Sequence, residues 1–139
     1  YSDIRADGAY VDSGENDNLI VQRIVENTDA VGVFGYSFLE ESRGKIKAIT
    51  VDGVEPTTEN ISEEIYPVSR SMFVYFKKAH EGDIVPGIDD YMSLFMDDLM
   101  IGSDGLLVGQ GLIPMPEAKR KQWRQRVADR VELKRSDLE

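Results

Sequence analysis

The residues best suited to bind an anion form the run Gly14-Glu15-Asn16-Asp17-Asn18, at the start of the first predicted helix. Backbone N–H groups at the N-terminus of a helix attract anions, because they carry the positive end of the helix dipole. The carboxylates of Glu15 and Asp17 would satisfy the same groups and repel a phosphate. From the residues alone, ordinary N-capping is therefore the favoured interpretation and an anion site is the alternative.

Two other groups of charged residues could do chemistry, and each has a simpler explanation. Arg5 could pair its guanidinium with an oxyanion, but a surface ion pair with Asp7 explains it equally well. The paired aspartates at 89–90 and 97–98 could suggest a divalent cation. They lack the glycine-containing loop of a calcium site and follow an amphipathic helical pattern, so a solvated helix face is the better interpretation.

The residues needed for catalysis are scarce in this chain. His80 is the only histidine and there is no cysteine, which excludes multi-histidine metal sites and thiol catalysis. His80 lies in a polar turn closed by Gly82, where a surface loop residue is the favoured interpretation. The sequence therefore predicts a protein that is not an enzyme and that uses no metal or other cofactor.

The charge of the chain limits its partners. The 139 residues carry a formal net charge of −10, so the surface as a whole repels phosphate backbones and predicts no nucleic-acid partner. A small-anion site remains compatible with this charge, because backbone N–H groups and a few side chains suffice to build one. No run of residues approaches the roughly 20 apolar residues of a membrane-spanning helix.

Helical and strand patterns alternate along the chain. Helices are predicted over 19–26, 38–42 and 56–61, from Ile88 through Leu99, and from Pro116 onward. Short apolar runs at 30–36, 46–51 and 71–76 predict buried strands, with Gly32 allowing a neighbouring element to approach closely. This alternation indicates an α/β fold with a mixed, largely parallel sheet.

The last predicted helix is strongly basic. Residues 116–139 hold eight basic and five acidic side chains, and an apolar stripe is predicted from Trp123, Val127 and Val131. Such a helix could touch nucleic acid or an acidic partner, although it lacks interleaved aromatic residues apart from Trp123. A solvent-exposed helix that docks through Trp123 is the favoured interpretation. The basic residues are Lys119, Arg120, Lys121, Arg124, Arg126, Arg130, Lys134 and Arg135.

Five segments in this order resemble consecutive blocks of the periplasmic phosphate-binding proteins of ABC transporters. The resemblance extends from Ile4 to about Arg120, and the ordered set is more specific than any single block. The segments are Ile4–Val11, Gly14–Gln22, Gly32–Leu39, Tyr66–Arg70 and Gly111–Pro116.

The resemblance implies a two-lobed α/β fold that grips its ligand in the cleft between the lobes. Residues 1–65 would belong to the second lobe, 66–71 would cross the hinge, and 72–139 would form the C-terminal portion of the first lobe. The main phosphate ligands of the family would lie upstream of Tyr1, so the chain is expected to be a fragment. Asn16 and Asn18, at the helix start facing the expected cleft, are the remaining candidate ligand-binding residues.

The resemblance also implies a place and partners for the protein. It would lie in the periplasm or be secreted, bind inorganic phosphate and deliver it to the membrane permease of the transporter. Strands left without neighbours, above all 72–76, would make a homo-oligomer through an exposed sheet possible. The alternative function is a structural or interaction domain of the same fold that contacts a partner through its basic C-terminal helix.

Overall fold

A computed structural model describes residues 8–14 and 16–137 of the chain, and helices dominate this part. Three short 3-10 turns, at Lys78–His80, Val108–Gln110 and Arg135–Asp137, connect or follow the α-helices. The six α-helices of the described residues are α1 (Asp17–Glu26), α2 (Tyr36–Glu41), α3 (Thr58–Ser62), α4 (Ile88–Phe95), α5 (Asp98–Ile101) and α6 (Glu117–Ala128).

The chain divides into two compact units, the first ending at Ala48 and the second beginning at Ile49. The first unit contains α1 and α2, and the second contains α3 to α6. The domain boundaries predicted at residues 65 and 71 stay predictions. None of the helices within the described ranges is long and apolar enough to cross a membrane.

In the first unit, α1 forms where the sequence predicts it and packs against a glycine. Its apolar residues Ile20 and Ile24 lie one turn apart, as the helical spacing indicates. A Cβ placed on Gly32 would lie 2.7 Å from Ile20 Cγ2 and 3.3 Å from Ile24 Cγ2. The close approach predicted at Gly32 is therefore confirmed, and the approaching element is helix α1.

In the second unit, the helix predicted from Ile88 to Leu99 is interrupted. Helix α4 ends at Phe95, and Asp97 then caps α5 by accepting a hydrogen bond from the Leu99 backbone N–H at 2.9 Å. Asp97 offers its carboxylate to a new helix start, a role that aspartate favours over a place in a helix interior. Periodicity alone missed this break, because the apolar spacing continues through it.

The hydrophobic core of the second unit is small. Met92 and Met96, on and just after α4, are the hydrophobic residues with the lowest exposure among those described, with 5% and 8% of their surface exposed. Helix α6 begins directly after Pro116, as predicted, and ends at Ala128. Val131 lies beyond that end, so the predicted apolar stripe keeps only Trp123 and Val127 on the helix.

The predicted sheet is absent from the residues that the structure describes. The apolar runs at 30–36, 46–51 and 71–76 form no strand, and the β-pairing within residues 8–14 and 16–137 consists of two isolated bridges, Arg43 with Ile46 and Val51 with Val54. The α/β prediction with a mixed, largely parallel sheet is therefore wrong for this part of the chain. An apolar run shows only that a segment suits a buried pleated surface, whereas a strand also requires a hydrogen-bonded neighbour.

The prediction of a homo-oligomer through an exposed sheet loses its basis in the same residues, because no sheet edge is present there. What remains of the third predicted strand is an irregular segment with a largely exposed apolar surface. Met72 is 78% exposed, and Phe73, Val74 and Tyr75 are also exposed.

Candidate anion-binding site

The start of α1 is built by its own side chains. The Asn16 side chain caps the helix, and its Oδ1 accepts a hydrogen bond from the Leu19 backbone N–H at 3.1 Å. Side-chain oxygens at this position satisfy one of the N–H groups that the first helical turn leaves without a partner. Asn16 therefore uses its acceptor oxygen for capping. Its side-chain NH₂ group is the hydrogen-bond donor that it can offer to an anion.

Asp17 connects the start of α1 to the start of α2. Its Oδ2 accepts a hydrogen bond from the Gly35 backbone N–H at 3.1 Å, and Gly35 is the residue that precedes α2. This carboxylate places a negative charge beside two helix starts, where the helix dipoles favour it. The same charge opposes an incoming phosphate, which is the competition that the sequence predicts at this position.

The loop before α1 is held by two further hydrogen bonds. The Gly14 backbone N–H donates to Asp12 Oδ1 at 2.8 Å, and Arg23 Nη1 donates to Ser13 Oγ at 2.9 Å. Gly14 has a φ of +61°, a conformation that glycine adopts without the steric cost of a side chain. These contacts fix the path of the chain into the helix.

The predicted ligand residues share one helix start. Asn18 is exposed in the first turn of α1, next to the Asp17 carboxylate, and Asn16 is exposed at the cap. Their side-chain amides are hydrogen-bond donors suited to a phosphate oxygen. Arg5, Asp7 and Glu15, which the sequence also singled out, lie outside the described residues. Among the described residues, the site therefore offers amide donors from the two asparagines, opposed by the neighbouring carboxylate of Asp17.

The basic residues of α6 do not form an open cationic surface, because several of them turn toward acids of the same unit. Arg120 has only 8% of its surface exposed; its Nη1 donates to the Met115 carbonyl, and its Nε lies 3.4 Å from Asp98 Oδ1. Arg124 Nη2 lies 3.0 Å from the same Asp98 oxygen, and its Nε donates to the Met96 carbonyl at 2.9 Å.

The basic partners lower the pKa values of two acids, Asp98 and Glu64. The close approach of Arg124 to Asp98, together with the charge of Arg120, lowers the pKa of the Asp98 carboxyl. Hydrogen bonds from Lys119, at 2.7 Å, and from Ser71, at 2.8 Å, lower the pKa of Glu64. A cationic group already paired with a carboxylate attracts a phosphate less strongly. These ion pairs therefore attach α6 to its unit and offer little for anion binding.

Arg130, just after α6, makes a similar pair of contacts. Its Nε lies 3.0 Å from Glu81 Oε1, and its Nη2 donates to Asp89 Oδ1 at 2.6 Å. Asp90, Asp97 and Asp98 are exposed and Asp89 is half-buried, as a solvated helix face would have them, but Asp89 and Asp98 also pair with basic residues. Sequence reasoning missed these pairs because partners 22 and 41 residues apart leave no local signal.

The second unit also contains a pocket and the single histidine of the chain. An open pocket of about 380 Å³ near Arg120 is lined largely by acids and small residues, which suits neither phosphate nor an apolar ligand. His80 is half-buried in the turn Lys78–His80. Among the described residues, no group of three or more histidine, aspartate or glutamate side chains could hold a metal ion.

Three curated proteins show what the chain is similar to. It is 31% identical to the phosphate-binding protein PstS of Staphylococcus saprophyticus over 86 residues, which cover 58% of the chain and 27% of the relative. It is 35% identical to the protein SphX of Synechococcus elongatus over 69 residues, covering 45% of the chain and 20% of the relative. It is 29% identical to SphX of a Synechocystis species over 108 residues, covering 74% of the chain and 31% of the relative.

The matched part of the chain thus spans less than a third of these relatives. No family model matches the chain, and no solved structure matches it significantly. The resemblance predicted from the ordered sequence blocks is confirmed by the relatives, and it covers part of the chain.

Proposed function

We propose that this chain, which is related to bacterial phosphate-binding proteins over part of its length, serves as the substrate-binding component of a phosphate ABC transporter. In this role the protein captures inorganic phosphate in the periplasm, or outside the cell, and delivers it to a membrane permease. The proposal rests on the similarity to proteins named as phosphate-binding, among them PstS of two Staphylococcus species. The function is binding without catalysis.

Within the described residues, the start of α1 supports this function better than α6 does. Asn16 and Asn18 place side-chain amides at a helix N-terminus, where the dipole favours an anion. We propose them as contributing ligands. They are not a complete grip, because tight anion binding needs many convergent hydrogen bonds and the Asp17 carboxylate opposes it.

Contact with a partner through the basic helix has weaker support. Lys119, Arg120, Arg124 and Arg130 engage carboxylates or carbonyls of their own unit, so much of the helix's positive charge is already compensated. A surface that recruits an acidic partner needs cationic groups that the partner can reach.

Isothermal titration of phosphate tests the proposed function. Phosphate and sulfate are titrated separately into the complete product of the gene and into the 139-residue chain. We expect phosphate to bind the complete product and to raise its unfolding free energy by about 2.7 kcal/mol at 100 times the dissociation constant. The absence of phosphate binding by the complete product would overturn the proposal. Equally tight binding by the 139-residue chain would show that the main ligands lie within it.

Variants of the helix start test the two ligands separately. Asn16→Asp keeps a capping oxygen but adds a negative charge, whereas Asn16→Ser keeps the cap without charge. If Asn16 faces phosphate, Asn16→Asp weakens binding more than Asn16→Ser does. Asn18→Ala weakens binding while Gln22→Ala, one turn further along α1, leaves it unchanged. Equal affinities for all four variants would remove both residues from the site.

A further inference from the structure

Helix α6 has an unusual attachment to the second unit, because the residue it buries most deeply is an arginine. Arg120 is the only residue of α6 that is buried. Helix α6 also makes an aromatic contact. Trp123 approaches Phe73 edge-on, with ring centroids 6.1 Å apart, and Phe73 itself is exposed. The buried methionines belong to the α4 region. The apolar side chains that α6 turns toward its unit, Trp123 and Val127, are only half-buried, so apolar burial is a partial attachment for this helix.

Ion pairs hold α6 and its continuation along their whole length. The carboxylates that pair with basic residues of this segment lie after α3, between residues 81 and 89, and at the start of α5. One further pair lies within α6 itself. The pairs are Lys119–Glu64, Lys121–Glu117, Arg120–Asp98, Arg124–Asp98, Arg130–Glu81, Arg130–Asp89 and Lys78–Glu132.

Many of these contacts are open to solvent. The side chains of Asp98, Glu64 and Glu132 are more than half exposed, with 62%, 51% and 78% of their surfaces accessible. Salt screens such pairs strongly, since the Debye length falls from about 30 Å at 0.01 M to about 3 Å at 1 M. Apolar contacts such as those of Met92 do not weaken in this way.

We propose that α6 is a charge-latched helix that detaches from the second unit on its own as ionic strength rises, while α4 keeps its structure. An isolated helix of about 12 residues is marginal in water, so detachment also unfolds α6. Release separates Trp123 from Phe73 and frees the cationic groups that the ion pairs hold. The device depends on the geometry of the pairs and is independent of the proposed phosphate function.

Hydrogen exchange followed by mass spectrometry tests this inference on the 139-residue chain. At constant pH, raising sodium chloride from about 20 mM to about 1 M should lower the protection of residues 117–128 by about tenfold or more, and that of residues 88–95 by less than about threefold. Acrylamide quenching of Trp123, the only tryptophan, should increase over the same range. An equal response of both helices, or no response of α6, would overturn the inference.

A pair of matched variants sharpens the test. Asp98→Asn removes the carboxylate that Arg120 and Arg124 share, and it should expose Trp123 already at low salt and reduce the further response to salt. Asp90→Asn makes the same change on an exposed aspartate of α4 that has no ion pair in the described part of the chain. If Asp90→Asn matches Asp98→Asn, the latch is not located at Asp98 and the inference fails.

Discussion

Helices α1 and α6 are the two longest helices of the described residues, and they are held in opposite ways. Helix α1 is capped by Asn16 and packs Ile20 and Ile24 closely against Gly32. Helix α6 has no side-chain cap and is fastened by arginines and lysines paired with acids elsewhere in its unit. Local geometry therefore stabilises the first helix, and long-range charge stabilises the last one.

This difference separates the two functional hypotheses. The helix with exposed amides at its start, α1, keeps groups that an anion can reach. In α6, the helix with the higher positive charge, several basic side chains pair with acids of their own unit. A count of basic residues along the sequence would favour α6 as the binding surface, whereas the contacts are the reason we propose α1.

The largest expected effect concerns the end of α5, the helix that carries Asp98, the ion-pair partner of Arg120 and Arg124. A Cβ on Gly102 would lie 2.3 Å from the Asp98 carbonyl oxygen, which is a backbone atom that cannot move without distorting α5. We expect Gly102→Ala to lower the free energy of unfolding by about 1–3 kcal/mol in chemical denaturation, as overpacking does.

Gly109→Ala is the matched control, because a Cβ there meets no atom within 4 Å. It should leave the free energy of unfolding within about 0.5 kcal/mol of the wild type, as surface substitutions usually do. A Gly102→Ala protein as stable as the Gly109→Ala protein would contradict the close turn between α5 and Gly102.

The next effect concerns the cap of α1. Asn16→Ala removes the side-chain oxygen that accepts from Leu19, and loss of such a cap costs about 1 kcal/mol. The loss should be the same at low and high salt, because a neutral hydrogen bond is not screened as an ion pair is. A strongly salt-dependent loss, measured by thermal unfolding at two salt concentrations, would remove the contrast between the two helices.

The smallest effect is a response of α6 to acid. Hydrogen bonds and charges from Arg124, Lys119 and Lys121 lower the pKa values of Asp98, Glu64 and Glu117, respectively. Groups with a depressed folded-state pKa stabilise the fold above their ordinary pKa of about 4, and this contribution is lost as the pH falls through the folded-state value. The carboxylates of Glu81, Asp89 and Glu132 face the same segment through ion pairs.

Trp123 fluorescence during an acid titration measures this response. The emission should change below about pH 4, where the carboxylates take up protons. Asp98→Asn should weaken the change. A transition that Asp98→Asn leaves unaltered would show that Asp98 does not take part in it.

The helices were predictable from sequence because their signals are local. Several possible N-caps in the run 13–17, followed by an apolar repeat, indicated the start of α1, and Pro116 followed by Glu117 indicated the start of α6. The interruption before Asp98 was missed because the same apolar spacing continues across two short helices. The predictions were therefore accurate where one turn of chain decides the structure.

The strands and the ion pairs were not predictable in the same way. The run at 71–76 has the composition of a buried strand, but pairing depends on a neighbour that a local pattern does not specify. The contacts Lys119–Glu64 and Arg130–Asp89 join residues 55 and 41 positions apart. At the candidate site, the sequence identified the asparagines and their competing carboxylates, but it did not indicate that Asp17 binds Gly35.

The most direct test of the assignment of α1 over α6 is a nuclear magnetic resonance titration of phosphate into the isotopically labelled complete gene product. The spectra report the backbone and side-chain amides of α1 and the arginine and lysine groups of α6 in one experiment. We predict that phosphate shifts the signals of Asn16 and Asn18 and leaves those of Arg120 and Arg124 in place. Shifts confined to the basic groups of α6, or no shift at Asn16 and Asn18 at saturating phosphate, would contradict the assignment.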